Sequence, residues 1–210
     1  MLRNDSVKSV RSLRIEASRG GRPAVSAQRR GHEGAALIAA NDTYAIDVPE
    51  SAGSPGRDGL PIGPPIDLVA IMAVTWTDGS YDGDRPAAVM MMVSDLGELV
   101  QLGRITTELE HARAAGPTAT PGMLRAAFDG LPIDATPEMV DDARSHVRDA
   151  STLPADRMAV ALRVSLQSMK KTMIDDLTAF DSGRAAPGAF QGWLNSTINR
   201  CQRWSGLLSR

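Results

Sequence analysis

At 210 residues, 42% hydrophobic and 23% charged, the chain has the makeup of a globular protein able to bury a core of its own. A single cysteine, Cys201, excludes an internal disulfide, and no apolar run reaches the length of a membrane-spanning helix. The net charge of −2 hides an asymmetry, because residues 1–35 carry +5 and the remainder −7.

Residues 1–34 therefore read as a basic arm, expected to be mobile. Its first residues lack the apolar segment of a signal peptide, so the expectation is a cytoplasmic chain, or an exported one if the true start lies upstream. Within the arm, Leu13, Ile15 and Ala17 alternate with Arg14 and Glu16, the period of a short strand. Arg19-Gly20-Gly21-Arg22-Pro23 resembles the Arg-Gly-Arg-Pro core of an AT-hook with one glycine too many. Such arms lay arginine in a narrow minor groove, which makes Arg19, Arg22, Arg29 and Arg30 the candidate nucleic-acid contacts. The acidic body argues against a broad nucleic-acid footprint, since phosphate contacts dominate that affinity.

Residues 35–84 are expected to form a β region. Residues 35–48 read as two short strands around Asn41-Asp42, with Tyr44, Ile46 and Val48 alternating against Ala45 and Asp47. Five prolines make 49–65 a loop, and its Gly53-x-x-Gly56-x-x-Gly59 lacks the following helix that a phosphate-binding turn needs. Residues 68–74 are apolar at every position, as in a strand covered on both faces. Asp78-Gly79 then predicts a two-residue type I′ hairpin, with Trp76 facing Tyr81, and Asp84 is placed to cap a helix beginning near Pro86. Asp78-x-Ser80-x-Asp82-Gly83 also matches the start of a calcium loop. Asp78, Ser80, Asp82 and Asp84 are thus the candidate metal ligands, but Val89 stands where the bidentate Glu belongs, and no cofactor is implied.

Val89, Met92, Leu96, Leu99, Leu102, Ile105 and Leu109 share one helical face, which predicts a helix over 86–113 in preference to strands at 87–93 and 98–105. Asp78, Gly79, Ser80, Tyr81, Gly83 and Asp84, followed by Gln101-Leu102-Gly103-Arg104-Ile105, resemble a strand–turn–helix segment of uncharacterised, often exported bacterial proteins. The resemblance covers about residues 66–113. It implies that local architecture and a bacterial origin, and it supplies no activity and no catalytic residue.

Further helices are predicted over 120–129, 137–150, 154–181 and 187–208 from Thr-Pro starts, glycine stops and apolar spacings near 3.7. On the last, Trp193 and Trp204 share a face as core anchors. His32, His111 and His146 are isolated, with Asp142 one turn before His146 as a surface pair. Adjacent acids at Asp141-Asp142 and Asp175-Asp176 diverge on a helix, and no metalloprotease, Walker or nucleophile-elbow motif occurs. The chain thus predicts an α+β fold, with a small N-terminal antiparallel β region followed by a mainly helical half over 85–210. The expected function is that of a structural or protein-interaction protein, leaning away from an enzyme, whose partner is another protein or a second copy. The alternatives are binding of nucleic acid or an acidic partner through the arginine-rich arm, and an enzyme or metal-binding protein using Asp78, Asp82 and Asp84.

Overall fold

The computed structural model describes residues 1–31, 35–46, 66–183 and 188–209. The fold is α+β, with antiparallel sheets in the N-terminal part and a mainly helical remainder. It divides into two compact units, residues 1–91 and 92–210.

In the first unit a four-stranded antiparallel sheet runs in the order β3-β2-β5-β6. Its strands are β2 (Val10–Arg19), β3 (Arg22–Arg30), β5 (Leu68–Trp76) and β6 (Tyr81–Gly83). A second pair joins β1 (Leu2–Arg3) to β4 (Thr43–Tyr44). The segment expected to be a mobile arm is therefore corrected: most of it is the β2–β3 hairpin, and β2 is a central strand. The alternation of Leu13, Ile15 and Ala17 is the cause, since all three are buried. Gly20 and Gly21 make the turn with φ of 57° and 71°, the positive pair that a I′ hairpin needs and that glycine adopts without steric cost.

Cross-strand register separates the two faces of this sheet. Leu13 and Ile15 pair with Val74 and Ile71. Leu13, Ile15, Val10 and Ile38 form a core that Val74, Tyr44, Ile46 and Trp76 flank, and Ile71 stands outside it. On the other face the Ser12 and Thr75 hydroxyls lie 2.7 Å apart, both buried. Ala73 there packs with Ala88 and Met91. The predicted strand pair at 35–48 is reduced to β4 and a single bridge from Ile38 to Val10. Asn41, at φ 60°, turns the chain between them. The loop at 49–65, the Gly53–Gly59 spacing, His32 and Val48 lie outside the described residues.

Residues 87–105 are helical, not stranded. Helix α1 (Arg85–Ala114) is the longest element, beginning where Asp84 Oδ1 accepts the Ala87 N–H at 2.8 Å. In the second unit, α2 (Pro121–Gly130) and α3 (Pro137–His146) start alike. The Thr120 and Thr136 hydroxyls accept the N–H of Met123 and Met139, and proline occupies the first turn. Helix α3 ends earlier than the predicted 150, because Val147 is already extended and Asp149 turns left-handed at φ 60°. Helices α4 (Ala155–Ser182) and α5 (Ala189–Leu208) complete the unit.

The core of the second unit takes Leu102, Ile105 and Leu109 from α1, Leu124 and Phe128 from α2, Met169, Met173 and Leu177 from α4, and Leu194, Ile198, Cys201 and Trp204 from α5. Trp193 packs against that core, its ring stacked on Phe190 at 5.9 Å and tilted against Phe180 at 5.4 Å. Truncating a buried leucine or Phe128 here would cost about 2–5 kcal/mol. One ion pair reinforces the packing of α4 with α5, from Arg200 Nη2 to Asp176 Oδ2 at 2.5 Å.

The two glycines inside α1, Gly97 and Gly103, occupy opposite environments. A Cβ on Gly97 would lie 3.0 Å from Ser165 Cβ and 3.1 Å from the Leu162 carbonyl oxygen, so glycine there admits α4. A Cβ on Gly103 would meet nothing within 4 Å. Gly103→Ala is expected to stabilise the protein by about 1 kcal/mol through helix propensity. Gly97→Ala should show none of that gain, both read from urea denaturation midpoints.

Candidate functional site: an open edge of the sheet

The two outer edges of the four-stranded sheet differ in chemistry. Strand β3 forms one edge and carries Arg22, Pro23, Arg29 and Arg30, the proline and charges that discourage another strand from pairing. At the other edge β6 is only three residues long and pairs with Ala73, Val74 and Thr75 alone. Beyond it the Asp84 N–H donates to the Met72 carbonyl at 2.8 Å, and the chain leaves the sheet into α1. Among the described residues no strand pairs with the outer edge of β5 over residues 68–71.

This stretch is apolar and open. Leu68, Val69 and Ile71 are 59%, 45% and 46% exposed, whereas Ala73 and Thr75, further along β5 and on the opposite face from Val69 and Ile71, are 1% exposed. The register explains the arrangement. Arg14 pairs with Ala73 and Ile15 with Ile71, so Met72 is an extra residue that bulges β5. The bulge sets Ile71 and Val69 beside Ile15 and Ala17, on the face that carries the core, while their far side meets solvent. The run predicted to be covered on both faces is thus covered only in its second half. A uniformly apolar run carries no mark of where its neighbour strand stops, and that length decides the exposure.

The candidate metal ligands are engaged by side-chain and backbone donors of the chain itself. The predicted two-residue turn is replaced by a three-residue loop, in which Gly79 alone takes positive φ (80°). The Gly79 N–H donates to the Trp76 carbonyl and the Trp76 N–H to the Ser80 carbonyl. Register shifts accordingly, and Tyr81 faces Thr75 instead of Trp76. Asp78 Oδ1 accepts the N–H and hydroxyl of Ser80, and its Oδ2 lies 2.8 Å from Lys8 Nζ. The Lys8 ammonium also donates to Ser80 Oγ at 2.9 Å. Asp82 Oδ2 accepts the Trp76 indole N–H at 2.9 Å, and Asp84 caps α1. Among the described residues no three His, Cys, Asp or Glu side chains gather to hold a metal ion.

The arginines of the AT-hook-like stretch do not form an extended arm. Arg19 and Arg22 face each other across the Gly20-Gly21 turn, and Arg29 and Arg30 sit at the far end of β3 opposite Leu13 and Ser12. His146 Nδ1 meets the backbone carbonyl of Asp142 at 2.9 Å, not its carboxylate. His111 lies 3.8 Å from Glu108. An open concavity of about 370 Å³ between α3 and α4 includes Pro137, Val140, Ala159, Asp141 and Arg144. Its charges answer each other, with Arg144 Nη1 at 3.6 Å from Asp141 Oδ1.

Burial of Asp95, Glu98 and Gln101 along α1 was invisible to periodicity. They fall between the apolar positions at spacings of three, as solvent-facing residues would, while Leu96 and Leu99 are only partly buried. Cys201 is buried, and burial pushes its thiol up, as befits a packing residue.

No family model matches the chain, and no curated protein or solved structure matches it either. Among the described residues no helix is long and apolar enough to cross a membrane.

The hydrogen bonds from Lys8 and Ser80 hold the Asp78 carboxyl well below the usual carboxylate range. A depressed carboxylate stabilises the fold above its unfolded value and loses that contribution as pH falls through the folded one. Lys8→Met should therefore raise the Asp78 pKa toward an ordinary carboxylate, read by carboxyl-carbon NMR titration. An unchanged value would remove Lys8 as the cause.

Proposed function

We propose that this is a protein-interaction protein that recognises its partner by strand addition along the open edge of β5. The observation that carries the reading is the contrast between the two edges. The β3 edge bears Arg22, Pro23, Arg29 and Arg30, whereas β5 has no charged residue from Leu68 to Trp76 and exposes Leu68, Val69 and Ile71 beside it. An unguarded apolar edge invites pairing with another chain, and main-chain hydrogen bonds then supply affinity while side chains on alternate faces supply selectivity.

Strand addition accounts for the bulge as well. By bringing Val69 and Ile71 onto the core-bearing face, it lets an added strand extend the layer formed by Leu13, Ile15 and Val74. Such pairing requires no catalytic group, in keeping with turn acids that serve Lys8, Ser80, the Trp76 indole and the start of α1.

Two measurements test the reading. Amide hydrogens of residues 68–71 that point outward should exchange quickly in the isolated chain and slow when a peptide of alternating valine and threonine is added. Ile71→Lys should abolish that protection while shifting stability by no more than about 0.5 kcal/mol, since the side chain is half exposed. Exchange that the peptide leaves unaltered would overturn strand addition.

A further inference from the structure

The charge around the open edge says what kind of strand fits it, an inference that rests on the strand-addition reading above. Between residues 66 and 84 the chain has four acids, Asp67, Asp78, Asp82 and Asp84, and no lysine or arginine. Asp78 is answered by Lys8. The remaining three flank the open stretch, with Asp67 immediately before Leu68 and Asp82 and Asp84 where β6 gives way to α1, and all three are exposed.

Asp67 is held in place without being neutralised. Its N–H donates to the Ser18 carbonyl at 3.0 Å, and its Oδ2 accepts the Gly21 N–H at 3.3 Å. Its Oδ1 accepts nothing among the described residues. The carboxylate thus stands where β5 begins, on a fixed backbone and beside the β2–β3 turn, with one oxygen not engaged among the described residues.

We infer that the partner of β5 is an extended apolar segment followed by a basic residue, which Asp67 receives. An incoming strand antiparallel to β5 begins beside Met72, where Asp84 already occupies the carbonyl, and runs toward Leu68. Aliphatic side chains two apart then lie against Ile71 and Val69, and the residue that follows the apolar stretch comes level with Asp67. A lysine or arginine there completes an exposed ion pair, and an acid there is repelled.

The test uses the full chain, labelled with ¹⁵N, and two six-residue peptides of alternating threonine and valine, one ending in an amidated lysine and the other in an amidated glutamate. At low ionic strength the lysine peptide should bind about fivefold tighter, read from the shifts of the Val69–Ile71 amides, and the preference should vanish at high salt. Asp67→Asn keeps an oxygen for the Gly21 N–H and should equalise the two peptides. Equal binding to the unmodified chain, abolished by Ile71→Lys, would overturn the charge rule and leave strand addition standing. Absence of binding by either peptide would overturn both. A dimer at low salt that Ile71→Lys dissolves would identify the occupant as a second copy and overturn the basic-segment inference.

Discussion

The antiparallel ladder between β2 and β5 is the constraint on which the N-terminal unit depends. It joins residues 10–18 to residues 68–76, so most of the intervening chain must close as a loop before a single one of these pairs forms. Its return is a shared apolar face: Leu13 and Ile15 lie beside Val74 and Ile71, and Val10 lies beside Trp76. Hydroxyls on the other face satisfy each other, Ser12 with Thr75, so the buried polar atoms there cost little. The bulges at Arg11 and Met72 adjust the twist of the ladder and set which side chains face the core.

The open edge follows from that ladder together with the brevity of β6. A strand paired on one side along its whole length and on the other for three residues leaves residues 68–71 with no strand on their outer side among the described residues. Sheets ordinarily blunt such edges with proline or charge, and this chain does so on β3. That the same sheet guards one edge and leaves the other apolar is the physical basis for the proposal that β5 is an edge for interaction. Under that proposal the acids beside it would restrict what pairs there, because electrostatic complementarity selects among strands whose main-chain bonds are alike.

The acid-rich turn shows how a ligand-like pattern can be consumed by donors of the same chain. Asp78, Ser80, Asp82 and Asp84 have the spacing of oxygen ligands, yet each carboxylate meets a different donor: Lys8 and Ser80, the Trp76 indole, and the first turn of α1. The Lys8 contact joins residues far apart in sequence, and no local pattern announces it. Asp84 differs, since an acid just before Arg85-Pro86 is a helix start by local chemistry alone.

Features that depend on neighbours a few residues apart are legible in the amino-acid order. The Thr-Pro starts of α2 and α3, the cap at Asp84, the apolar stripe of α5 with Trp193 and Trp204, and the alternation of Leu13, Ile15 and Ala17 all record local periodicity or local hydrogen bonding. Only the tertiary structure decided which positions those elements cover. Arg19 and Arg22 face each other because β2 pairs with β3, Asp95 and Glu98 are buried although their spacing matches a wet face, and Leu68, Val69 and Ile71 remain open because β6 stops at Gly83. Period and propensity report the shape of a segment; burial and exposure are properties of the chain that lies beside it, and its length is set by the pairing of distant residues.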